Sequence, residues 1–255
     1  MRVTVLYLNG DSFPQSFGEK GRNVTSRRTA IALGILLISS IVLGILNSVP
    51  ALEKPDYLSE LSTIKTQILL AALFQAAMAI AYVCIAVLLF PIVKRYSETL
   101  AIGYFGFRII AAAFLFVGIA SLLLLLLLSQ GFVASDPPRA SYFKTIGELV
   151  RTGRDLMNHV GMILPWSIGG LILYYCFLRM KLVPKWLSTW GLAGTSLTIV
   201  ATLMLICDFI RIATPIYFIM NTPAAIFEVA LAIYLFFKGF NPIVDLVRLH
   251  RRDNL

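Results

Sequence analysis

"TQILLAALFQAAMAIAYVCIAVLLFPIV", residues 66–93, runs for 28 residues without a charge. At 1.5 Å per residue a helix of this length outspans the ~30 Å hydrocarbon core of a bilayer, which takes about 20 residues to cross. Nothing in a soluble domain requires so long an uncharged run. Similar runs flank it: Ile109–Leu128 has 20 residues, Val160–Leu178 has 19 and Leu187–Cys207 has 21. Thr29–Val49 is a fifth, and Ile216–Phe237 is a sixth that carries one acid, Glu228. The chain of 255 residues is 58% apolar and only 14% charged, with a mean hydropathy of +0.84. Soluble domains carry about 25% charge. The pattern predicts an all-α integral membrane bundle of six transmembrane helices, spanning about 29–49, 66–93, 100–128, 157–178, 187–207 and 216–237. Short connections favour antiparallel neighbours in an up-and-down order.

The net charge of +9 is distributed as topology demands and gives no sign of a nucleic-acid partner. With the N-terminus inside, segments 1–28, 91–108, 179–186 and 238–255 hold 15 Lys/Arg against 5 acids, whereas the outer segments hold 7 against 7. The positive-inside rule then puts both termini in the cytoplasm. Residues 1–28 read as a cytoplasmic tail, 29–238 as the transmembrane domain, and 239–255 as a basic cytoplasmic tail, "VRLHRRDNL" lying against anionic headgroups. The first apolar segment exceeds the 7–15 residues of a signal-peptide core, so it reads as an uncleaved span. Membrane lipids are the expected partners, and no protein partner is specified.

Two outer loops are long. In residues 50–65 a short amphipathic helix is expected from Tyr57, with Leu58, Leu61 and Ile64 on one side. The fourth helix is expected to start near Ser141, above the membrane, and to enter it near Met157. Cys84, Cys176 and Cys207 lie in separate apolar runs and read as small packing residues. With only His159 and His250 as histidines, a multi-histidine metal site is out of reach, and no cofactor motif occurs.

Ionisable residues at membrane depth cost at least ~2.5–3.5 kcal/mol each, so they need a reason to be there. Glu228 lies nine residues, roughly 13 Å, from the inner end of the sixth helix, and Asn221, Ala224, Ala225 and Ala232 share its face. Arg108 lies about 12 Å in from the same side, with Ala111 and Ala112 beside it. The matching depths predict an Arg108–Glu228 ion pair. It serves either to dock two helices or to hold a polar group or a proton. A second polar set lies at the outer leaflet: Asp155, Asn158 and His159 open the fourth helix, and Asp208 and Arg211 close the fifth. Asn47, Lys65 and Gln67 add to it. It reads either as an outward vestibule, with His159 a proton acceptor oriented by Asp155, or as ordinary wetting of helix ends.

Order and spacing add a resemblance. "SRRTA" before the first span, "FGFRIIAAAF", "DLMNHVGMILPWSIGGLILYYCFLR", "LVPKWLSTWGLAG" and the terminal "FKGFNP" together resemble the bacterial multi-pass proteins grouped as "domain of unknown function 4386", over about residues 26–242. The resemblance implies a bacterial cytoplasmic (inner) membrane and a six-helix core, and it supplies no activity. Family members begin close to the first helix, so residues 1–25 look like an extension. The leading functional reading is a non-enzymatic membrane protein that binds or moves a small molecule or lipid, with Arg108 and Glu228 as an inner polar site. Asp155, Asn158, His159, Asp208 and Arg211 would form its mouth. A regulatory or partner subunit with structural polar residues is the alternative, and an intramembrane lipid-modifying enzyme is a third. A carrier requires a cavity reaching Glu228; an enzyme requires His159 within ~3 Å of Asp155 or Asp208, or one water apart.

Overall fold

The computed structural model describes residues 27–212 and 214–242. Nearly all of the N-terminal tail and the basic C-terminal stretch lie outside them. Among the described residues eight α-helices follow in order: α1 (Arg27–Leu46), α2 (Tyr57–Thr63), α3 (Lys65–Lys94), α4 (Glu98–Val133), α5 (Pro137–Leu156), α6 (Ile163–Met180), α7 (Lys185–Ile206) and α8 (Pro215–Phe237). A 3-10 turn, Pro50–Glu53, precedes α2, and a π-helical stretch, Met157–Met162, joins α5 to α6. No strand occurs among the described residues. Six helical segments are long and apolar enough to cross a membrane: α1, α3, α4, Ser141–Met180, α7 and α8.

The six spans form a ring. Each packs on the spans before and after it in sequence, and α8 closes on α1. Arg27 Nη1 donates to the Phe237 carbonyl at 3.0 Å, so the described chain begins and ends at one end of the bundle. Lipid offers apolar side chains as good a home as a neighbouring helix does, so close approach at small residues must supply the cohesion. A Cβ on Gly34 of α1 would lie 3.1 Å from the Ala232 carbonyl oxygen of α8. On α7, a Cβ at Gly194 would lie 3.0 Å from Ala224 N and 3.2 Å from Ala224 Cα. Backbone cannot swing away as a side chain can. Gly194→Ala is therefore expected to lower stability by about 1–3 kcal/mol through overpacking, read by unfolding in mixed micelles. Gly106→Ala, with nothing within 4 Å of its added carbon, serves as the neutral control.

Helix ends are fixed by ordinary stop and start chemistry. Ser97 Oγ accepts from Leu100 N at 3.3 Å to start α4, and Thr214 Oγ1 accepts from Tyr217 N at 3.4 Å to start α8. Helices α6 and α7 both end in a left-handed residue, Lys181 (φ 55°) and Asp208 (φ 57°). The next residue's N–H then bonds five residues back, Leu182 to Phe177 O at 3.1 Å and Phe209 to Met204 O at 2.9 Å, which is the Schellman pattern. Beyond α8, Asn241 Nδ2 donates to Lys181 O at 3.0 Å and Asn241 N to Leu182 O at 2.8 Å, latching the "KGFN" segment onto the α6–α7 turn.

At the loop end the chain builds a cap. Helix α4 has 36 residues and the Ser141–Met180 segment 40, about 54 and 60 Å, so both outrun the ~30 Å hydrocarbon core. Tyr57, Leu58 and Leu61 of α2 pack with Val49, Leu52, Leu122 and Leu125 in a separate apolar cluster there. Helix α5 runs back over this cap, its outer face carrying exposed Tyr142, Ile146 and Leu149, a pattern suited to a lipid–water boundary. Of the three cysteines only Cys176 is packed inside; Cys84 and Cys207 are exposed, which corrects the expectation that all three fill gaps. Their helical faces point outward, a register that uncharged runs do not reveal.

Candidate functional site

The buried stripe of α4 recurs at helical spacing: Ala101, Tyr104, Arg108, Ala111, Ala112, Leu115 and Gly118 all point inward. Arg108 is carried into the bundle by that register and is only 1% exposed. Gly169 and Gly170 of α6 make room for it: a Cβ at Gly169 would lie 3.3 Å from Arg108 Nε, and one at Gly170 3.6 Å from Nη2.

Arg108 and Glu228 do not form the expected ion pair; Trp166 stands between them. The guanidinium carbon sits 3.3 Å from the Trp166 ring centroid, and the indole Nε1 donates to Glu228 Oε1 at 2.9 Å. Tyr82 of α3 stacks on the same indole, centroids 3.8 Å apart at 22°. Two groups this close to one ring fit only on opposite faces, so both faces and the N–H of Trp166 are engaged. Trp166, partly buried, was missed by a sequence reading that weighed only ionisable groups at membrane depth. Its position three and four residues before the buried glycines Gly169 and Gly170, and so on their helix face, was the available signal.

Residues from five of the six spans converge here, among them Leu33, Ile85, Leu173, Tyr174 and Leu231. The space they leave measures about 10 Å³, at the ~10–15 Å³ lower limit for one water. The carrier requirement of an open cavity at Glu228 is not met in this conformation. Yet Arg108 Nε and Nη1 have no hydrogen-bond partner among the described residues. A guanidinium built only to dock helices would take the carboxylate directly. Of the small face expected around Glu228, Ala232 is buried, Asn221 and Ala224 are partly buried, and Ala225 is exposed. Asn221 Nδ2 is turned back to the Tyr217 carbonyl at 2.8 Å.

The outer polar set disperses. His159 Nδ1 lies 2.8 Å from the Tyr217 hydroxyl, so its ring is oriented by α8 and not by Asp155. Asp155 instead faces Arg154 at 3.7 Å. Asn158 Oδ1 accepts from Gln75 Nε2 at 3.3 Å, and the same amide donates to Leu115 O at 3.1 Å. Gly118 opposite leaves the space that any Cβ would fill. Gln75 is a further polar residue the sequence reading passed over, an amide in an alanine-rich stretch. Asp208 serves as the helix stop described above, and Arg211, Lys65 and Gln67 are exposed. Asn47 Nδ2 reaches Met78 Sδ at 3.8 Å. No His159–carboxylate dyad forms. No group of three or more His, Cys, Asp or Glu suited to a metal occurs among the described residues.

Span four is interrupted just ahead of Trp166. Pro165 has no N–H, which frees the Gly161 carbonyl and crowds it, and the six π-helical residues Met157–Met162 take up the mismatch. The polar contacts of Asn158 and His159 fall inside this stretch.

The model of the family described as domain of unknown function (DUF4386) matches residues 32–239, from within the first span to the end of the sixth. The chain belongs to this family. In this DUF4386 protein the matched region holds Arg108, Trp166, Glu228 and the interrupted fourth span. No match is found among curated proteins or among solved structures. Family membership and six apolar spans make it a multi-pass membrane protein.

Proposed function

We propose that the protein binds a small anionic group, a carboxylate or phosphate, at Arg108 in the axis of the ring, and that the bundle described above is its occluded form. One observation carries this reading: a guanidinium at membrane depth, 1% exposed, keeps two nitrogens, Nε and Nη1, without a hydrogen-bond partner among the described residues. Leaving buried donors unpaired costs several kcal/mol in hydrocarbon, and a planar fork of donors matches a carboxylate or phosphate. Entry requires Trp166 to leave the guanidinium, and the π-helical, proline-interrupted stretch before it is the natural hinge. The same reading takes the end bearing Arg27 and Phe237 as cytoplasmic, from the basic excess in the sequence segments on that side. It places the protein in a bacterial inner membrane and makes it non-enzymatic.

Equilibrium dialysis of the detergent-purified protein against radiolabelled acetate and inorganic phosphate tests the proposal. Saturable binding of at least one anion is expected, about tenfold weaker or more in Arg108→Lys, which keeps the charge and loses the fork. Absence of saturation with both anions, or equal binding by the variant, overturns it. A second reading, a partner subunit whose polar centre only sets packing, draws on the 10 Å³ space beside Glu228 and predicts no anion binding at all.

A further inference from the structure

A cleft of about 420 Å³ opens in the cap, away from Arg108, between the start of α2, the end of α4 and the face of α5 that carries Lys144 and Glu148, turned away from its Tyr142, Ile146 and Leu149 side. That is within the ~300–1,000 Å³ range of small-molecule sites. Its floor is apolar, from Tyr57, Leu58 and Phe132, and its rim is charged, from Asp56, Lys144 and Glu148. The wall is held in place. Arg151 bonds Glu148 through Nε at 3.1 Å and Nη2 at 2.7 Å, donates to Leu52 O at 2.9 Å, and lies 5.3 Å from the Tyr57 ring centroid. Glu148 is thereby satisfied.

Two charges at the rim are left over. Lys144 Nζ has no carboxylate within 4 Å among the described residues and sits 5.8 Å from the Phe132 ring centroid. Asp56, at the N-cap of α2, makes no side-chain capping bond. Lys54, its neighbour in charge, is already bonded to Glu60 at 2.7 Å. Burial, with Glu148 adding to it, raises the Tyr57 hydroxyl above its ordinary range. It therefore stays neutral, and its oxygen is buried without a partner. A ligand with one charge would answer only one of the free groups and repel the other.

We propose that this cleft binds a small zwitterion, a primary ammonium and an anionic group on a short tether. The anion meets Lys144, the ammonium meets Asp56, and the connecting carbons lie on Phe132 and Leu58. An amino-phosphate has this chemistry either as a free solute or as the headgroup of an ethanolamine phospholipid, and the site stands independently of the anion site at Arg108.

Isothermal titration of the purified full chain, in a maltoside micelle free of added lipid, tests it in two arms. One uses O-phosphoethanolamine and the other dihexanoyl-phosphatidylethanolamine. Saturable binding is expected in at least one arm, weakened about tenfold or more by Lys144→Ala and by Asp56→Ala, and unchanged by Lys65→Ala. Both Lys144 and Asp56 are exposed, so the variants keep the fold. Tighter binding of the lipid identifies a headgroup site, and equal or tighter binding of the free amino-phosphate identifies a solute site. No saturation in either arm, or wild-type affinity in both variants, overturns the proposal.

Discussion

Replacing Trp166 by alanine is expected to destabilise the bundle more than any other single truncation in the ring, by about 4 kcal/mol or more. Trp→Ala in a packed interior costs about 3–5 kcal/mol from lost contacts and the hole left behind. Here the indole also holds three partners at once: Tyr82 on one face at 3.8 Å, the Arg108 guanidinium on the other at 3.3 Å, and Glu228 through its N–H at 2.9 Å. Trp166→Phe keeps a ring for stacking and removes the N–H, so it isolates the hydrogen bond, whose loss leaves the acceptor unsatisfied at about 1–3 kcal/mol. The two variants should therefore separate clearly in unfolding titrations in mixed micelles. Equal losses would mean that the stacking on Tyr82 and Arg108 contributes nothing.

The second large effect concerns Arg108 and Glu228 together. Removing one charge of a buried set leaves the other uncompensated, at about 3–5 kcal/mol. Arg108→Gln and Glu228→Gln are each expected to fall in that range. Although the two side chains do not touch, both act on one indole and share one space of about 10 Å³. The double variant should be less destabilised than the sum by at least about 1 kcal/mol, as neighbours in one network behave. Strict additivity in the same titration would show that Trp166 insulates the two charges instead of joining them.

Much of the fold was readable because hydrocarbon imposes one simple demand, some 20 uncharged residues per crossing. The uncharged run 66–93 lies wholly within α3, and the cap helix expected from Tyr57 is α2, Tyr57–Thr63. The inward placement of Arg108 was also legible, because Ala111 and Ala112 share its buried stripe. Its partner was not. Depth along two helices told that Arg108 and Glu228 are close, but not that an aromatic side chain from a third helix would fill the gap. Weighing ionisable residues alone left Trp166 and Gln75 unremarked, although a buried indole N–H and a buried amide need partners as surely as charges do. The outer polar set shows the converse error. Asp155 and His159 share a helix face in sequence, but the hydrogen-bond partner of His159 came from α8, the Tyr217 hydroxyl at 2.8 Å. Spacing within one helix does not report what a neighbouring helix brings. The tight α7–α8 contact was also unremarked: it uses Gly191 against Phe227 and Gly194 against Ala224, two glycines three residues apart on one face of α7.

The central claim, that the Arg108 guanidinium is a binding group held closed by Trp166, is tested most directly by Trp166 fluorescence. The chain has three tryptophans, so Trp186→Phe with Trp190→Phe leaves Trp166 as sole reporter. Titration with acetate and with inorganic phosphate, at constant ionic strength set by sodium chloride, follows the indole as the anion takes its place at the guanidinium. The account predicts a saturable change in intensity and wavelength with at least one anion, lost in the Arg108→Lys background. A Trp166 signal that ignores both anions, or that responds identically without the arginine, would contradict it.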